Sequence, residues 1–486
     1  MANIFFNNNT LRPLLLFTCL FCLSVAAFAQ NKNAKPANVP QSVAAPMVVP
    51  DTSKTNLLLP VTVMDTGKNN TSGYLTLQQC IDYAMLHQPG LNIAQINIDV
   101  AKTNNAINLA TALPQVNASG SLVHNIQLQQ NGSGANNSSG ASQRGYANTF
   151  VPGIAVSQTI FNPSLIYAFK SAPLYVKQAQ QSTDSTKIFL VSSVSKSFYN
   201  LLLTLEQINV LKEDTSEFGK SSRDAYHQYK GGIVDETDFE QAEITLNNTK
   251  AQLKQATENV VPQYATLKKL MGFPPEKQFN VTFDTLEMMR SIHIDTAQQL
   301  QYENRIEFQQ IQTNIGLQDQ TINYYKYAFL PTLSAFFNYN LNFQNSNYNN
   351  LLGTSYPASY IGLSFSIPIF TGFSRLNNLH KARLGQQILN WDQTDLKSEI
   401  YSEYTSALAN YKGNYYNLQL LQRNVALSRR VFFVVTLQYK QGIVPYLNVI
   451  TAETNLITSE INYLNALFNV LSNKIDLEKA MGNISY

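Results

Sequence analysis

The residues able to do chemistry do not gather. His87, His124, His227, His293 and His380 stand far apart in the chain, without the short spacings that bring metal ligands together. No glycine-rich phosphate loop and no nucleophile elbow is present. These features argue against catalysis and give no reason to expect a metal or other cofactor. What recurs is a pair of turns. Tyr229-Lys230-Gly231-Gly232-Ile233-Val234 returns as Tyr439-Lys440-Gln441-Gly442-Ile443-Val444, and Met271-Gly272 returns at the same offset as Met481-Gly482.

The elements that must position these turns are duplicated as well. Leu113-Pro114 and Leu330-Pro331 each open an alternating stretch, and Ile160-Phe161 and Ile369-Phe370 each close one. A period of about two hundred residues is too long for a solenoid repeat of ~20–50 residues. It implies two copies of one unit, 71–272 and 297–486, joined by a linker over 273–296. Each copy reads as helix, strand, loop, strand, long helix, turn, return helix. The hairpins are expected over 115–160 and 332–369, and the helical hairpins over 164–271 and 374–482.

In the first copy one helix is expected over 76–111. Alternation then puts Val116, Ala118, Leu122 and, later, Phe150, Ile154 and Val156 on one face. In the second, Leu333, Phe337, Tyr339 and Phe343 oppose Ser334, Asn338, Asn340 and Asn342, and Ile361, Leu363, Phe365, Ile367 and Ile369 oppose Gly362, Ser364 and Ser366. A half-buried soluble sheet has the same period. Two features favour a bilayer instead: strands of about ten residues suit a tilted crossing, and the polar faces carry Asn, Ser and Gln as a barrel lumen does. The loops 129–148 and 345–358 are then the outer ones.

Asn162-Pro163 reads as a helix start, with Asn as cap and Pro in the first turn. Val191, Val194, Phe198, Leu201, Leu205 and Ile208 form a 3-4 spaced seam, repeated by Tyr401, Tyr404, Leu408, Tyr411, Tyr415 and Leu418. Gly232 and Gly442 are placed to end the long helices in left-handed conformation. Pro262 is expected to kink the first return helix.

Bulk properties agree. Charged residues are only 13% of the chain and the net charge is +3, which gives no reason to expect nucleic acid. Residues 1–29 read as a signal peptide, with an apolar run from Leu14 ending at Ala27-Phe28-Ala29. Cys19 and Cys22 lie in that leader; Leu20-Phe21 before Cys22 disfavours a lipid-anchor site, and Cys80 is the remaining cysteine. Residues 30–70, rich in Asn, Pro, Ser, Thr and Lys, read as a flexible exported linker. No further run is expected to form a transmembrane helix.

Four strands per chain cannot close a barrel, and an open edge cannot face lipid. The barrel must therefore be shared: two chains would supply eight strands and three would supply twelve. The duplicated order of elements, with Tyr-Lys-x-Gly-Ile-Val at both turns and Leu-Pro before each hairpin, resembles the TolC-type outer-membrane efflux proteins (the outer membrane factor family) from about residue 71 to the C-terminus. The resemblance implies a mixed membrane α/β barrel: a homotrimer with a 12-stranded outer-membrane β-barrel continuous with a periplasmic α-helical barrel. It implies a passive conduit that docks a periplasmic adaptor protein and an inner-membrane transporter. The alternatives are a trimeric coiled-coil surface adhesin or a helical scaffold.

The resemblance also assigns roles at the turns, where the periplasmic end closes and the adaptor docks. Gly232, Ile233, Gly442 and Ile443 occupy the docking steps. An Asp of the family's gate falls on Asp238 and its Tyr partner on Tyr439, but the Arg position holds Val444. Two pore-ringing aspartates fall on Asn448 and Thr451. The family's ion-pair lock and acidic ring are therefore missing from the motif. The expected substitute is a hydrogen bond from Tyr439 to Asp238, with Lys230 or Lys440 as alternative partners and apolar contact at Val234 and Val444. The plainer reading of Asp235, Glu236 and Asp238 is that they favour the N-terminus of the return helix.

Overall fold

Proline sets several of the boundaries. Gln88, the residue before Pro89, is extended (φ −70°, ψ 121°) because a following proline disfavours the helical region. The segment expected as one helix is therefore two: α1 (Leu77–His87) and α2 (Pro89–Ala110). Thr76 and Gln79 form a reciprocal cap on α1, and the Gln88 side chain accepts from the Leu91 amide at 2.6 Å to cap α2. The computed structural model describes residues 73–127, 145–282, 292, 294 and 298–485. The leader, the linker over 30–70, His293 and most of the loop 129–148 lie outside the described residues.

After a two-residue β1 (Tyr74–Leu75), α1 and α2, the first copy continues through β2 (Gln115–His124), β3 (Asn148–Phe161), α3 (Pro163–Lys230) and α4 (Glu236–Met271). Then come β4 (Asn280–Val281), α5 (Ile306–Tyr327), β5 (Thr332–Asn345), β6 (Ser355–Ser366), α6 (Ser374–Lys440) and α7 (Tyr446–Met481). β1 pairs β4 in parallel, a small sheet that the alternation did not reveal. β6 begins before the stretch expected for it and ends before Pro368, which has no amide to give a ladder. α4 runs unbroken through Pro262.

The four long strands form one antiparallel sheet in the order β2-β3-β5-β6. Their register aligns the apolar positions row by row: Val116, Val156, Phe337 and Ile361 in one row, and Ala118, Ile154, Tyr339 and Ser359 in another. Directly opposed residues share a face, so the hydrophobic side chains expected to be together are together. Val116, Ile154, Tyr339, Ile361, Leu363 and Phe365 of that face are exposed in the chain alone. The opposite face carries Asn117, Asn338, Ser119 and Asn340 in matching rows. It also carries Phe336 and Tyr360, packed edge to face at 6.1 Å, which simple polar-apolar alternation does not describe. β2 and β6 are the outer strands, and their outer edges have no partner among the described residues.

The helices line up in the same order. Next to the sheet the neighbours run α2-α3-α5-α6; towards the turns they run α4-α3-α7-α6. α3 thus has a helix on either side along its whole length. This explains its seam: Val191, Val194, Phe198, Leu201 and Ile208 are all buried. α6 stands at the end of each row, and its matching seam is only partly covered. Tyr411 and Leu418 are buried, but Tyr401 is exposed. By length and composition α3 could cross a membrane, contrary to expectation, yet 44% of its most apolar window is packed inside the protein. The main core lies midway along the long helices, where α1, α3, α4, α6 and α7 converge with Phe279, Val281 and Ile292. Cys80 belongs to this core, and burial pushes its thiol up to about 12, so it is a packing residue.

The Met-Gly repeats end the return helices against the rest of the core. Gly272 (φ 68°) and Gly482 (φ 73°) are left-handed, and a side chain there would collide with a neighbouring carbonyl. A Cβ would lie 2.4 Å from the His87 oxygen at Gly272 and 2.6 Å from the Asn304 oxygen at Gly482. Arg305 completes the second joint by donating to the Ala480 carbonyl at 3.0 Å, to Glu307 at 3.0 Å and to Glu403 at 2.7 Å. Gly482→Ala should therefore destabilise the detergent-solubilised protein by at least the left-handed penalty of about 1–2 kcal/mol. Gly413→Ala, inside α6 with open space around it, should be neutral or stabilise by up to about 1 kcal/mol. Denaturant unfolding monitored by circular dichroism compares the two; equal effects would contradict the close-approach account.

Candidate functional site at the helical turns

Both long helices end in the same hydrogen-bonded lock. The Ile233 amide donates to the Gln228 carbonyl at 2.9 Å and the Gly232 amide to the Tyr229 carbonyl at 2.9 Å. In the second copy Ile443 donates to Gln438 at 2.9 Å and Gly442 to Tyr439 at 2.8 Å. This paired pattern requires a left-handed residue at the bend, and Gly232 (φ 69°) and Gly442 (φ 70°) supply it. Ile233 and Ile443 follow directly and are 75% and 70% exposed. Each turn thus presents an uncovered isoleucine beside a bare glycine.

Behind the turns lies a small separate core. Ala225, Ala242, Tyr439, Tyr446 and Val449 are buried there, with Val234, Phe239, Val444 and Ile450 packed partly against them. Val234 and Val444, expected as apolar contacts of closure, are therefore in one cluster. The Tyr439 and Tyr446 rings lie 5.0 Å apart. Tyr446 was not expected as a site residue. Its first-copy counterpart is Glu236, so the repeat itself gave no sign of a buried aromatic.

The hydrogen bond expected from Tyr439 to Asp238 is replaced by another. The Tyr439 hydroxyl donates to Gln228 Oε1 at 2.7 Å, tying the end of α6 to the end of α3. Gln228 immediately precedes the motif and was missed because an amide has no charge to single it out. Asp238 is half-buried nearby. Burial, then Asp235, raises its carboxyl above the ordinary value. Burial, then Asp238 and Asp224, pushes the Tyr439 phenol up to about 12. Asp238 therefore acts on Tyr439 through its field.

Neither lysine, expected as an alternative partner, pairs with Asp238. Lys440 faces Asp224 at 4.0 Å, and Lys230 lies over the rings of Tyr226 and Tyr229 at 5.5 and 5.1 Å. Asp235 caps α4 by accepting from the Glu236 amide at 2.7 Å, and Glu236 and Asp238 fall in the first turn. This is the helix-terminus role that the plainer reading gave them. Asn448 and Thr451 are exposed together, one turn apart on α7, and the Thr451 hydroxyl bonds back to the Leu447 carbonyl at 2.9 Å. Among the described residues no group of three or more potential metal ligands converges.

A four-stranded sheet with an exposed apolar face, continued by two duplicated pairs of long helices, defines a protein of the outer-membrane channel class. The chain belongs to the outer membrane efflux protein family, whose model matches residues 80–273 and 298–483, one block in each copy. It is 19% identical over 344 residues to the outer membrane protein TolC of Vibrio cholerae, covering 68% of this chain and 76% of that protein. It is 22% identical over 411 residues to the cation efflux system protein CusC of Escherichia coli K12, covering 83% and 85%. A crystal structure of CusC superposes with a TM-score of 0.71 at 19% identity, covering 86% of this chain and 95% of that one. The protein is an outer-membrane efflux channel, and the adhesin and scaffold alternatives find no support.

The Tyr439–Gln228 bond should be measurable as a pair. Tyr439→Phe and Gln228→Leu should each speed amide hydrogen exchange at the end of α6 by roughly fivefold, equivalent to about 1 kcal/mol for a neutral hydrogen bond. The double variant should add little. Additive effects would mean that the two side chains act independently.

Proposed function

We propose that three copies of this chain form one conduit, with twelve strands closing a barrel in the outer membrane and the helices continuing it through the periplasm. The observation that carries the reading is the pair of unpartnered sheet edges. β2 and β6 run in opposite directions across the sheet, so β6 of one copy meets β2 of the next in antiparallel fashion. The helical rows support the same closure. α2 exposes Ile93, Ile96, Val100 and Ile107, and α6 exposes Leu384, Ile388 and Trp391. Both sets have near 3-4 spacing and both lie on end helices of the row, so each copy offers one apolar stripe to each neighbour.

The turns are the periplasmic end. There Gly232, Ile233, Gly442 and Ile443 receive a helical hairpin of a periplasmic adaptor protein, which links the channel to an inner-membrane transporter. Asp238, Tyr439, Val444, Asn448 and Thr451 surround the closing point. With Asn448 and Thr451 at the ring positions, the constriction is polar and uncharged there, so selection of cargo lies with the transporter. Closure rests on the Tyr439–Gln228 bond and the apolar cluster, both of which salt screens little.

Mass measurement in detergent should give three copies; a stable monomer or dimer would contradict the assembly. Replacing Gly232 and Gly442 with Trp should abolish export while leaving trimers in the outer membrane. Normal export by that double variant would remove the docking assignment.

A further inference from the structure

The interior of the helical part holds an unexplained set of acids. Glu453 lies on α7 about two turns from the second bend and is 0% exposed. Neither of its oxygens has a hydrogen-bond partner of good geometry. The same holds for Asp214 Oδ2 on α3 and for the Tyr446 hydroxyl, both also buried. Ser221 on α3 lies between Glu453 and Tyr446 and relieves both only in part. These groups sit where α3 and α7 pack together, with Tyr446 joining them to the turn cluster.

Lys220 on α3 is held by Glu217 at 3.4 Å. From α3, Asp214 and Glu217 act on Glu453, and Glu213 acts on Asp214. From α7, Tyr446 faces Glu453 and Glu460 faces Asp214. From α6, Arg429 is the cation, but it is spent on Glu460 at 2.8 Å. Burial, then Glu217 and Asp214, pushes the Glu453 carboxyl up to about 7, with Ser221 offsetting part. Burial, then Glu460, pushes Asp214 up to about 7, with Arg429 offsetting part. An ionised carboxylate left unpaired in such a place is strongly unfavourable.

The two copies provide a contrast. In the single chain Glu243, the counterpart of Glu453, is exposed, because α4 ends the helical row whereas α7 lies inside it. The acid is thus buried in only one of its two positions.

We propose that Asp214 and Glu453 form a proton-operated joint between α3 and α7: protonated, they sit neutral in the packed seam and hold the turn end closed, and ionised, they part the two helices there. The effect on opening rests on the conduit reading; protonation of the pair does not. The sign follows from linkage. A carboxyl raised from its ordinary value in the packed state stabilises packing most at low pH. That contribution is lost as pH rises from about 4 through about 7.

The test uses the full-length assembly with neutral isosteres, which keep the side-chain shapes. In infrared spectra the carbonyl band of protonated acid should disappear as pH rises through about 7. Glu453→Gln and Asp214→Asn should each reduce the band, and Glu243→Gln should leave it unchanged. In planar bilayers the wild-type open probability should rise roughly tenfold between about pH 5.5 and about pH 8. The Asp214→Asn/Glu453→Gln variant should stay at the acid level throughout, while Glu243→Gln should follow the wild type. The proposal is overturned if the band titrates with ordinary carboxylates, or if the double isostere keeps the wild-type pH dependence. A wild-type protein with no conductance at any pH would contradict the conduit instead, and the infrared titration would still decide the protonation.

Discussion

Everything in this architecture answers one constraint: a strand edge in hydrocarbon cannot leave its amides and carbonyls unpaired. The chain makes four long strands, exposes their apolar face and leaves β2 and β6 without outer partners. Antiparallel alternation from β2 to β6 means that further copies can continue the sheet without a break. The helical rows repeat the strand order next to the sheet, α2-α3-α5-α6 under β2-β3-β5-β6, so in the proposed assembly one rotation between copies would serve both layers. Duplication makes this economical, because each copy of the unit supplies a hairpin and a pair of long helices to the same wall.

Position within the row, more than sequence, decides what each repeat residue becomes. Val191 and Tyr401 share a register, yet Val191 is buried in a helix with neighbours on both sides and Tyr401 is exposed at the row's end. Glu243 and Glu453 show the same split in reverse, with the exposed copy on the end helix and the buried copy inside. The two repeats are alike in backbone and different in environment. A polar side chain that is harmless in one can therefore be an energetic liability, and a switch, in the other.

Much of this was legible from residue order. Period-2 alternation identified the strands and the correct partners on each face, since register follows once one face must be apolar. Repeated Gly-Ile steps marked the bends because only a left-handed residue closes that lock. Other features escaped. The break at Gln88-Pro89 was overlooked although the proline was visible. The β1–β4 pair is too short to show a period. The partner of Tyr439 could not be found by motif matching: Gln228 lies in the other repeat, reaches Tyr439 only through folding, and carries no charge to draw notice. The motif led to the helix ends where Tyr439 sits, but the bond expected there is replaced by Tyr439–Gln228.

If β6 of one copy pairs with β2 of the next, cysteines placed across that seam will crosslink chain to chain. In one chain these strands are separated by two others, about 14 Å at the usual strand spacing, beyond the ~7 Å that a disulfide spans. A cysteine in place of Ser119 on β2, combined in turn with single cysteines along Ser355–Ser366, should at one register give oxidised species that stop at three chains. Failure to crosslink at every register would contradict the shared barrel, and a ladder that stops at two chains would contradict the trimer.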